Sequence, residues 1–450
     1  MSEWTVPTTF QLRRGTSAEW AAANPVLAAG EPGVDTTTGE QRVGNGASTW
    51  SALPSVGATA ASSAASAVRQ EVAAAGYATV SSGGLPARTT QGLYQRTKPG
   101  PTGSATGLYG LANDPSIAGR VWVQGKDFAQ LGFTDTNGAT WTSKALPPAG
   151  GSAGVFDLTF AGGFAWLTQG PSAAKSGSLW RSPLPDAAGN GLSWTKVFDL
   201  AAPPGAITTG DNATFRNSCV AVNGANVYLL EYSVATITGG PSLYYSPDSG
   251  ANWTKVKTWP NGKHGHAVRV INGLPWVTIG DAAFTDLGVW VATAANALVW
   301  NRRSAYGEAA GGNTLYGINM VPVTVGGSPM VAIEYDGSSN YGPLLFPSQT
   351  GTAARALIPT LQIPPAYFGT MRCLTLTSEG NLYWWQTTEN GALGAHGDSV
   401  WMSQAPYTTA VCLESGIAAS SMTLGNPVEN GNYIWLGHFL IRKEKFAGQA

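Results

Sequence analysis

From about residue 88 to residue 450, apolar and polar positions alternate in short runs set apart by Gly, Pro, Asn and Asp. This is the period-two pattern of half-buried strands broken by tight turns. The runs also recur, as a four-part unit of roughly 45–55 residues, the size of one propeller blade. Its second part reads VWVQG at 121, AWLTQG at 165, VYLLEYS at 227, PWVTIGD at 275, MVAIEYD at 330, LYWWQTT at 382 and YIWLGH at 433. Third parts follow as LGFTDT, LWRSPL, LYYSPD, VWVATA, LLFPSQ and VWMSQA, and fourth parts as ATWTSKAL, LSWTKVFDL, ANWTKVKTW and LVWNRRSAY. Among the first parts, LYGLAND at 108 aligns with LYGINMV at 315. The last unit, from about residue 418, runs out after three strands, while QGLYQRTKPG at 91–100 offers an unmatched strand ahead of the first. Pairing these ends closes a ring and removes its exposed edges. The pattern therefore predicts a mainly β chain whose bulk, 88–450, is a β-propeller of seven blades, or six if the last unit only completes the first blade.

Two other regions precede it. Residues 1–54 hold very short runs punctuated by Asn24-Pro25, Pro32-Gly33, Thr38-Gly39 and Asn45-Gly46, which suits a few small strands and one short helix. So small a piece has little core of its own, and self-association would strengthen it. Residues 55–87 are rich in Ala and Ser, with Ala61, Ala64, Ala65, Val68 and Val72 at helical spacing. A narrow apolar stripe of this kind predicts a short coiled-coil stalk between like chains, the alternative being a flexible linker.

Composition narrows the function classes. Lys and Arg total 25 against 26 for Asp and Glu, so no overall field draws the chain to nucleic acid or to an anionic membrane. No stretch of about 18 apolar residues predicts membrane insertion, and the amino terminus lacks the apolar region of a secretory signal. The product is expected to be made in the cytoplasm. Cys219, Cys373 and Cys412 lie in apolar strand-like runs without a CxxC spacing, which predicts buried free thiols and neither a metal site nor a disulfide framework. No cofactor is called for.

Ser246-x-Asp248-x-Gly250-x-x-Trp253 has the residues of a tight hairpin turn: a short carboxylate for backbone amides, a glycine for positive φ and a tryptophan to bury. It resembles the Asp-box of sialidase-like propellers, which joins third and fourth strands and is architectural. TDTNGATW at 134–141 is a degenerate copy, and RSPLPDAAGNGLSW at 181–194 a copy with an insertion. At the other end, Arg13-Arg14-Gly15-Thr16, Trp20, Asn24-Pro25, Gly30-Glu31-Pro32-Gly33, Asp35-Thr36, Gly44-Asn45-Gly46 and Trp50 resemble the amino-terminal domain of phage tail-fibre and tropism-determinant proteins. Val34 stands where that family commonly has an aromatic, and Gly44-Asn45-Gly46 where Gly-Asp-Gly is frequent. The resemblance implies a small, β-rich, trimeric, virion-proximal domain.

In a propeller the loops from second to third strand, and from fourth to the next first strand, share one face opposite the Asp-box turns. SVATITGGPS, YDGSSNYGP, TTENGALGAHGDS and TQGPSAAKSGS are the longest of these, and loops on a rigid scaffold are the usual site of recognition. Near that face, first strands open with Asp157, Arg216, His264, His266 and Arg372, and second strands end with Glu231-Tyr232, Asp281 and Glu334-Tyr335. Arg216, Glu231, Tyr232, His264, His266, Asp281, Tyr335 and Arg372 are thus candidate ligand-binding residues, with mutual pairing around a channel as the alternative. His264 and His266 point to the same side of a strand, but four histidines in the chain and no HExxH make a poor metal site. Glu231-Tyr232 and Glu334-Tyr335 offer the residue types of a sialidase, yet neighbours in a strand face opposite ways. The three arginines and the Phe/Tyr-Arg-Ile-Pro motif of sialidases are not matched; Phe215-Arg216-Asn217-Ser218 is the nearest stretch.

These features together predict a non-enzymatic phage minor tail protein located in the virion tail. Residues 1–54 would join other tail proteins, the chain would form a homotrimer, and the propeller would bind a host-surface glycan or protein with avidity. A sialidase-like depolymerase and a purely structural tail component are the alternatives.

Overall fold

The computed structural model describes residues 13–55, 94–96, 108–125, 131–138, 140–147, 154–170, 177–210, 213–215, 218–233, 239–260, 264–280, 286–304, 316–336, 342–347, 370–387, 398–405, 407, 410–417, 427–431, 433–436 and 439–442. The chain divides into two compact units, Met1–Gly92 and Leu93–Ala450. The expected stalk at 55–87 lies, from residue 56 on, outside the described residues.

In the first unit, Arg13–Gly15 pairs in parallel with Pro32–Asp35, which pairs antiparallel with Gln41–Val43. Between the first two strands runs the helix Ser17–Ala23, started by a capping box: the Thr16 hydroxyl accepts from the Glu19 amide and the Glu19 carboxylate accepts from the Thr16 amide. Asn24, in the left-handed conformation, ends it. Trp20 and Trp50 stack with ring centroids 3.8 Å apart, and Leu27 and Leu53 complete the core. Gly33 is needed because a Cβ there would come within 2.6 Å of the Trp50 ring.

The second unit is a β-propeller. Besides a short two-stranded ribbon, Ala213–Thr214 with Tyr232–Ser233, its described residues form seven sheets, six of them four-stranded. The first comprises Leu108–Asn113, Val121–Gly125, Leu131–Thr134 and Thr142–Lys144; the second Gly154–Ala161, Phe164–Gly170, Ser178–Pro183 and Thr195–Asp199. The third comprises Val220–Asn223, Asn226–Leu230, Ser242–Ser246 and Thr254–Thr258; the fourth His264–Ile271, Leu274–Gly280, Gly288–Ala292 and Trp300–Ser304. Tyr316–Val325, Ser328–Asp336 and Leu344–Pro347 make the fifth, and Thr370–Leu376, Asn381–Thr387, Asp398–Gln404 and Val411–Ile417 the sixth. The seventh joins Val428–Asn430, Tyr433–Leu436 and Phe439–Arg442 to Tyr94–Arg96 from far upstream.

First strands of successive sheets pack on one another from the first sheet through to the sixth, and the first strand of the seventh packs back on that of the first. The first strands are therefore innermost, and the sheets close a circle. The closure is the one expected from the unmatched ends: Tyr94 lies opposite Ile441, Gln95 opposite Leu440 and Arg96 opposite Phe439. Each seam is filled by large apolar side chains, among them the fully buried Trp122, Trp166, Trp276, Trp384 and Trp435.

Two irregularities recur. Third and fourth strands slip register at Leu179/Trp180, Leu243/Tyr244, Val289/Trp290 and Val400/Trp401, the same place in four sheets. Innermost strands bulge at Phe156, His266 and Ile318 and at the pair Cys373–Leu374. Such bulges re-aim a side chain where a regular strand would pair it.

Candidate functional site

The turn from Ser246 to Trp253 joins the third and fourth strands of the third sheet. The Ser246 hydroxyl donates to Asp248 Oδ1 at 2.8 Å and accepts from the Gly250 amide at 2.8 Å. Asp248 accepts from the Asn252 amide at 2.8 Å and its side-chain amide at 2.6 Å, and Trp253 Nε1 donates to the Gly250 carbonyl at 3.0 Å. Gly250 has φ +87°. These bonds hold the Asp248 carboxyl below its ordinary range. The side chains of Ser246, Asp248 and Trp253 are thus committed to the turn itself, which makes it a fastener of the blade.

The degenerate copy keeps this geometry with hydroxyls in place of the carboxylate. Gly138 donates to Thr134 Oγ1 at 3.0 Å, and the Thr140 amide to Thr136 Oγ1 at 2.8 Å. In the second sheet Ser182 Oγ accepts instead from the Ser193 amide at 2.7 Å, and the inserted residues form their own loop around Asp186, whose Oδ1 accepts from the amides of Ala188 and Asn190. A fourth version went unnoticed in the sequence. Trp300 Nε1 donates to the Ala297 carbonyl, and Ala297 takes φ +58° where the third sheet has glycine. Its signal was the Trp three residues after a positive-φ position, hidden by the lack of glycine.

These turns also carry bonds between sheets. Arg120 of the first sheet donates to Ala187 O at 2.9 Å, Arg181 of the second to Ser249 O, and Tyr228 of the third to Ala295 O at 2.5 Å. Each acceptor is a turn carbonyl of the following sheet.

Near the axis, the structure separates the predicted residues into distinct groups. Arg216 and Asp281 lie outside the described residues, as do the central parts of the four long loops named above. Glu231 is fully enclosed: its carboxylate accepts from the Ser242 amide at 2.8 Å, the Gly210 amide at 3.1 Å and the Tyr244 hydroxyl. Burial pushes its pKa up despite these donors. Its commitment to Ser242 interrupts the single strand expected over 227–233, so that Asn226–Leu230 ends and Tyr232–Ser233 starts a separate ribbon with Ala213–Thr214. Tyr232, half-buried, stacks on His264 with centroids 4.4 Å apart, and His264 on His266 at 5.7 Å. His266 sits at the bulge, its Nδ1 2.8 Å from the Gly317 carbonyl of the next sheet and its ring against Gly280, where a Cβ would come within 2.3 Å. Glu231 and Tyr232 thus serve different partners, on either side of the break between the two strands.

A second group links more distant sheets. Tyr335 is wholly buried in the apolar core, facing away from Glu334. The Glu334 carboxylate accepts from the Leu374 amide at 2.8 Å and faces Arg372 and Arg269. Asp157 accepts from the amides of Val220, Ser218 and Leu158 and faces Arg269 from another side. Burial raises Asp157 to about 6 and Glu334 to about 7, against the pull of the arginines. Arg372, 2% exposed, donates to Met371 O at 2.7 Å. Both carboxylates serve the following sheet at a left-handed residue, Ser218 at φ +63° and Cys373 at φ +57°. Arg269, which touches this group between Asp157 and Glu334, was missed because KHGHAVRV draws the eye to its histidines. Among the described residues, no group of three His, Cys, Asp or Glu side chains could hold a metal ion.

In the first unit, the residues of the family resemblance are chiefly structural. Asp35 accepts from Ser17 Oγ at 2.6 Å and the Thr37 amide at 2.8 Å, and Arg42 donates to the carbonyls of Trp50, Ser51 and Leu53. Arg13 pairs with Glu31 at 3.3 Å on the surface.

Residues 10–48 match the family model of the major tropism determinant N-terminal domain. No curated protein matches the chain. Similar solved structures include YCF48 bound to D1 peptide, 12% identical with a TM-score of 0.48, covering 79% of this chain and 96% of that one. An oligogalacturonate lyase in complex with manganese is 8% identical with a TM-score of 0.49, covering 76% and 91%. A GH74 enzyme from Niastella koreensis is 14% identical with a TM-score of 0.33, covering 73% and 46%. All three scores lie below 0.5, so the architecture rests on this chain's own sheet order and closure.

Proposed function

We propose that this chain is a phage tail protein that recognises the host surface, its first unit joined to other tail proteins in the virion and its propeller turned to the cell. The observation that carries the reading is the tropism-determinant match over residues 10–48, in one chain with a closed propeller. A scaffold whose turns and axis are committed internally leaves variable loops as the natural carriers of specificity. An envelope glycan suits such loops, and a homotrimer would multiply weak contacts into firm attachment. The described axial carboxylates, Asp157, Glu231 and Glu334, are occupied with backbone amides of their own or the next sheet, which favours adhesion over hydrolysis.

The test is competition. Host cells are preincubated with the purified full chain, and virion adsorption and sugar released into the medium are measured together. Adsorption should fall at least about ten-fold at saturating protein, as expected of a multivalent competitor, with no sugar released. Undiminished adsorption would refute the receptor-binding role, and released sugar would replace adhesion by depolymerisation.

A further inference from the structure

The outermost strands of the first four sheets share a charge that the chain as a whole lacks. Lys and Arg total 25 against 26 for Asp and Glu over the full sequence. Thr142–Lys144, Thr195–Asp199, Thr254–Thr258 and Trp300–Ser304 together carry six cations, Lys144, Lys196, Lys255, Lys257, Arg302 and Arg303, and one acid, Asp199. Arg303 is enclosed, and the other five are partly or fully exposed. The four sheets are consecutive in the ring, so these side chains lie along one arc of its rim.

The position recurs as well as the charge. At the slip between third and fourth strands, Trp180 lies opposite Lys196, Tyr244 opposite Lys255 and Trp290 opposite Arg302. The sixth sheet makes the same slip with Trp401 opposite Cys412, and its outer strand carries Glu414 and no Lys or Arg. The fold therefore does not need a cation at that place. Lysine on an outer strand can also guard a sheet edge against strand addition, but that need would apply equally to the sixth sheet.

Three of the cations are held by neutral groups. Lys144 Nζ donates to Ala188 O at 3.0 Å and to Asn190 Oδ1 at 2.9 Å, and Lys255 Nζ to Thr208 Oγ1 at 2.8 Å. Lys257 Nζ lies over the rings of Trp290 and Trp259, 5.4 and 5.8 Å from their centroids. Lys196 pairs with Asp199 at 2.7 Å, and Arg302 faces Asp286. Arg302 Cζ is 5.9 Å from the same Trp290 ring, so two cations from neighbouring sheets meet at one indole. Neutral acceptors and ring faces orient a cation without cancelling its charge, which lowers the ordering cost of binding an anion there.

We propose that this arc binds an anionic glycan chain, whose phosphate or carboxylate groups repeat along its length and meet successive sheets. Lys144, Lys255 and Lys257 supply the uncancelled charge. That the polymer is a glycan rests on the adhesion reading above; that it is anionic rests on the rim alone.

The experiment measures binding of the purified full chain to alginate, which carries carboxylates, to poly(glycerol phosphate) and to neutral dextran. It is run at about 0.1 M and about 1 M salt, which shortens the screening length from about 10 to about 3 Å. One or both anionic polymers should bind at low salt and be released at high salt, the tighter one distinguishing carboxylate from phosphate, and dextran should not bind. Lys144→Gln/Lys255→Gln/Lys257→Gln should weaken binding about ten-fold, each lost contact counting for up to about five-fold, while the three Lys→Arg changes should preserve it. Should the triple Gln variant fail to fold, Lys255→Gln alone should weaken binding about two- to five-fold. No binding to either anionic polymer, binding indifferent to salt, or equal affinity of the neutralised variants would overturn the proposal, as would tighter binding of duplex DNA than of either polymer. Virion adsorption is not read here, so the adhesion reading can fail on cells with polymer binding intact, and the reverse.

Discussion

In the first unit the buried core described is Trp20, Leu27, Trp50 and Leu53, whereas in the sixth sheet of the propeller one strand, Asn381–Thr387, is buried at all seven of its positions. The small unit compensates with polar fastenings: a capping box, an arginine shared by three carbonyls and an aspartate shared by a hydroxyl and amides. The propeller does the reverse, filling its seams with tryptophan and tyrosine and enclosing several of its charges, among them Asp157, Glu334 and Arg372. The contrast teaches where each unit is vulnerable. The first depends on single side chains and on carboxylates at its surface; the second depends on repetition, and its charges are costly to enclose.

The sharpest way to break the contrast is Trp50→Ala. It removes half of the stacked pair and the wall against Gly33, at a cost of about 3–5 kcal/mol, comparable to the whole stability of so small a unit. Calorimetry of the full chain should show the transition of the first unit lost and that of the propeller unmoved; a shift of both would mean the units are not independent.

Acidity should move the two units in opposite directions. Hydrogen bonds hold Glu19, Glu31 and Asp35 below their ordinary values, so their contribution is present above the unfolded pKa and lost as pH falls through the folded one. Burial raises Asp157 to about 6 and Glu334 to about 7, so the folded propeller holds protons that the unfolded chain releases. The contribution of these two groups is full below pH about 4 and is lost as pH rises to about 7, by roughly 3 kcal/mol for each. Unfolding midpoints between pH 3 and pH 8 would show this crossing, and Glu334→Gln should flatten the upper part of the propeller's decline. A propeller midpoint that rises with pH over that range would contradict the proposed burial cost.

The smallest effect sharpens the role of the turn. Ser246→Ala leaves the Gly250 amide without its acceptor and should cost about 1 kcal/mol in the propeller transition, without changing cell binding. A loss of binding at unchanged stability would give that turn a recognition role.

Much of this was legible beforehand because it is local or periodic. The second-strand runs and the turn at Ser246–Trp253 depend on residues within a few positions of each other, and the closure followed from one strand too few at one end and one too many at the other. The candidate axial site was legible only as residue types. Glu231 and Glu334 looked like ligand-binding carboxylates, and nothing nearby in sequence revealed that Ser242, Tyr244 or Leu374 would occupy them.

The sequence by itself thus determined the strand repeat and the turn chemistry, since hydrophobic period and glycine placement act over short distances. Only the tertiary structure decided that Asp157, Arg269, Glu334 and Arg372 share one interior, that Arg120, Arg181 and Tyr228 reach the turns of the next sheet, and that bulges turn His266 onto Gly280. Those contacts join residues up to about a hundred positions apart, and they exist only once the sheets stand in a ring, with desolvation and backbone amides from other blades fixing what each charge can do.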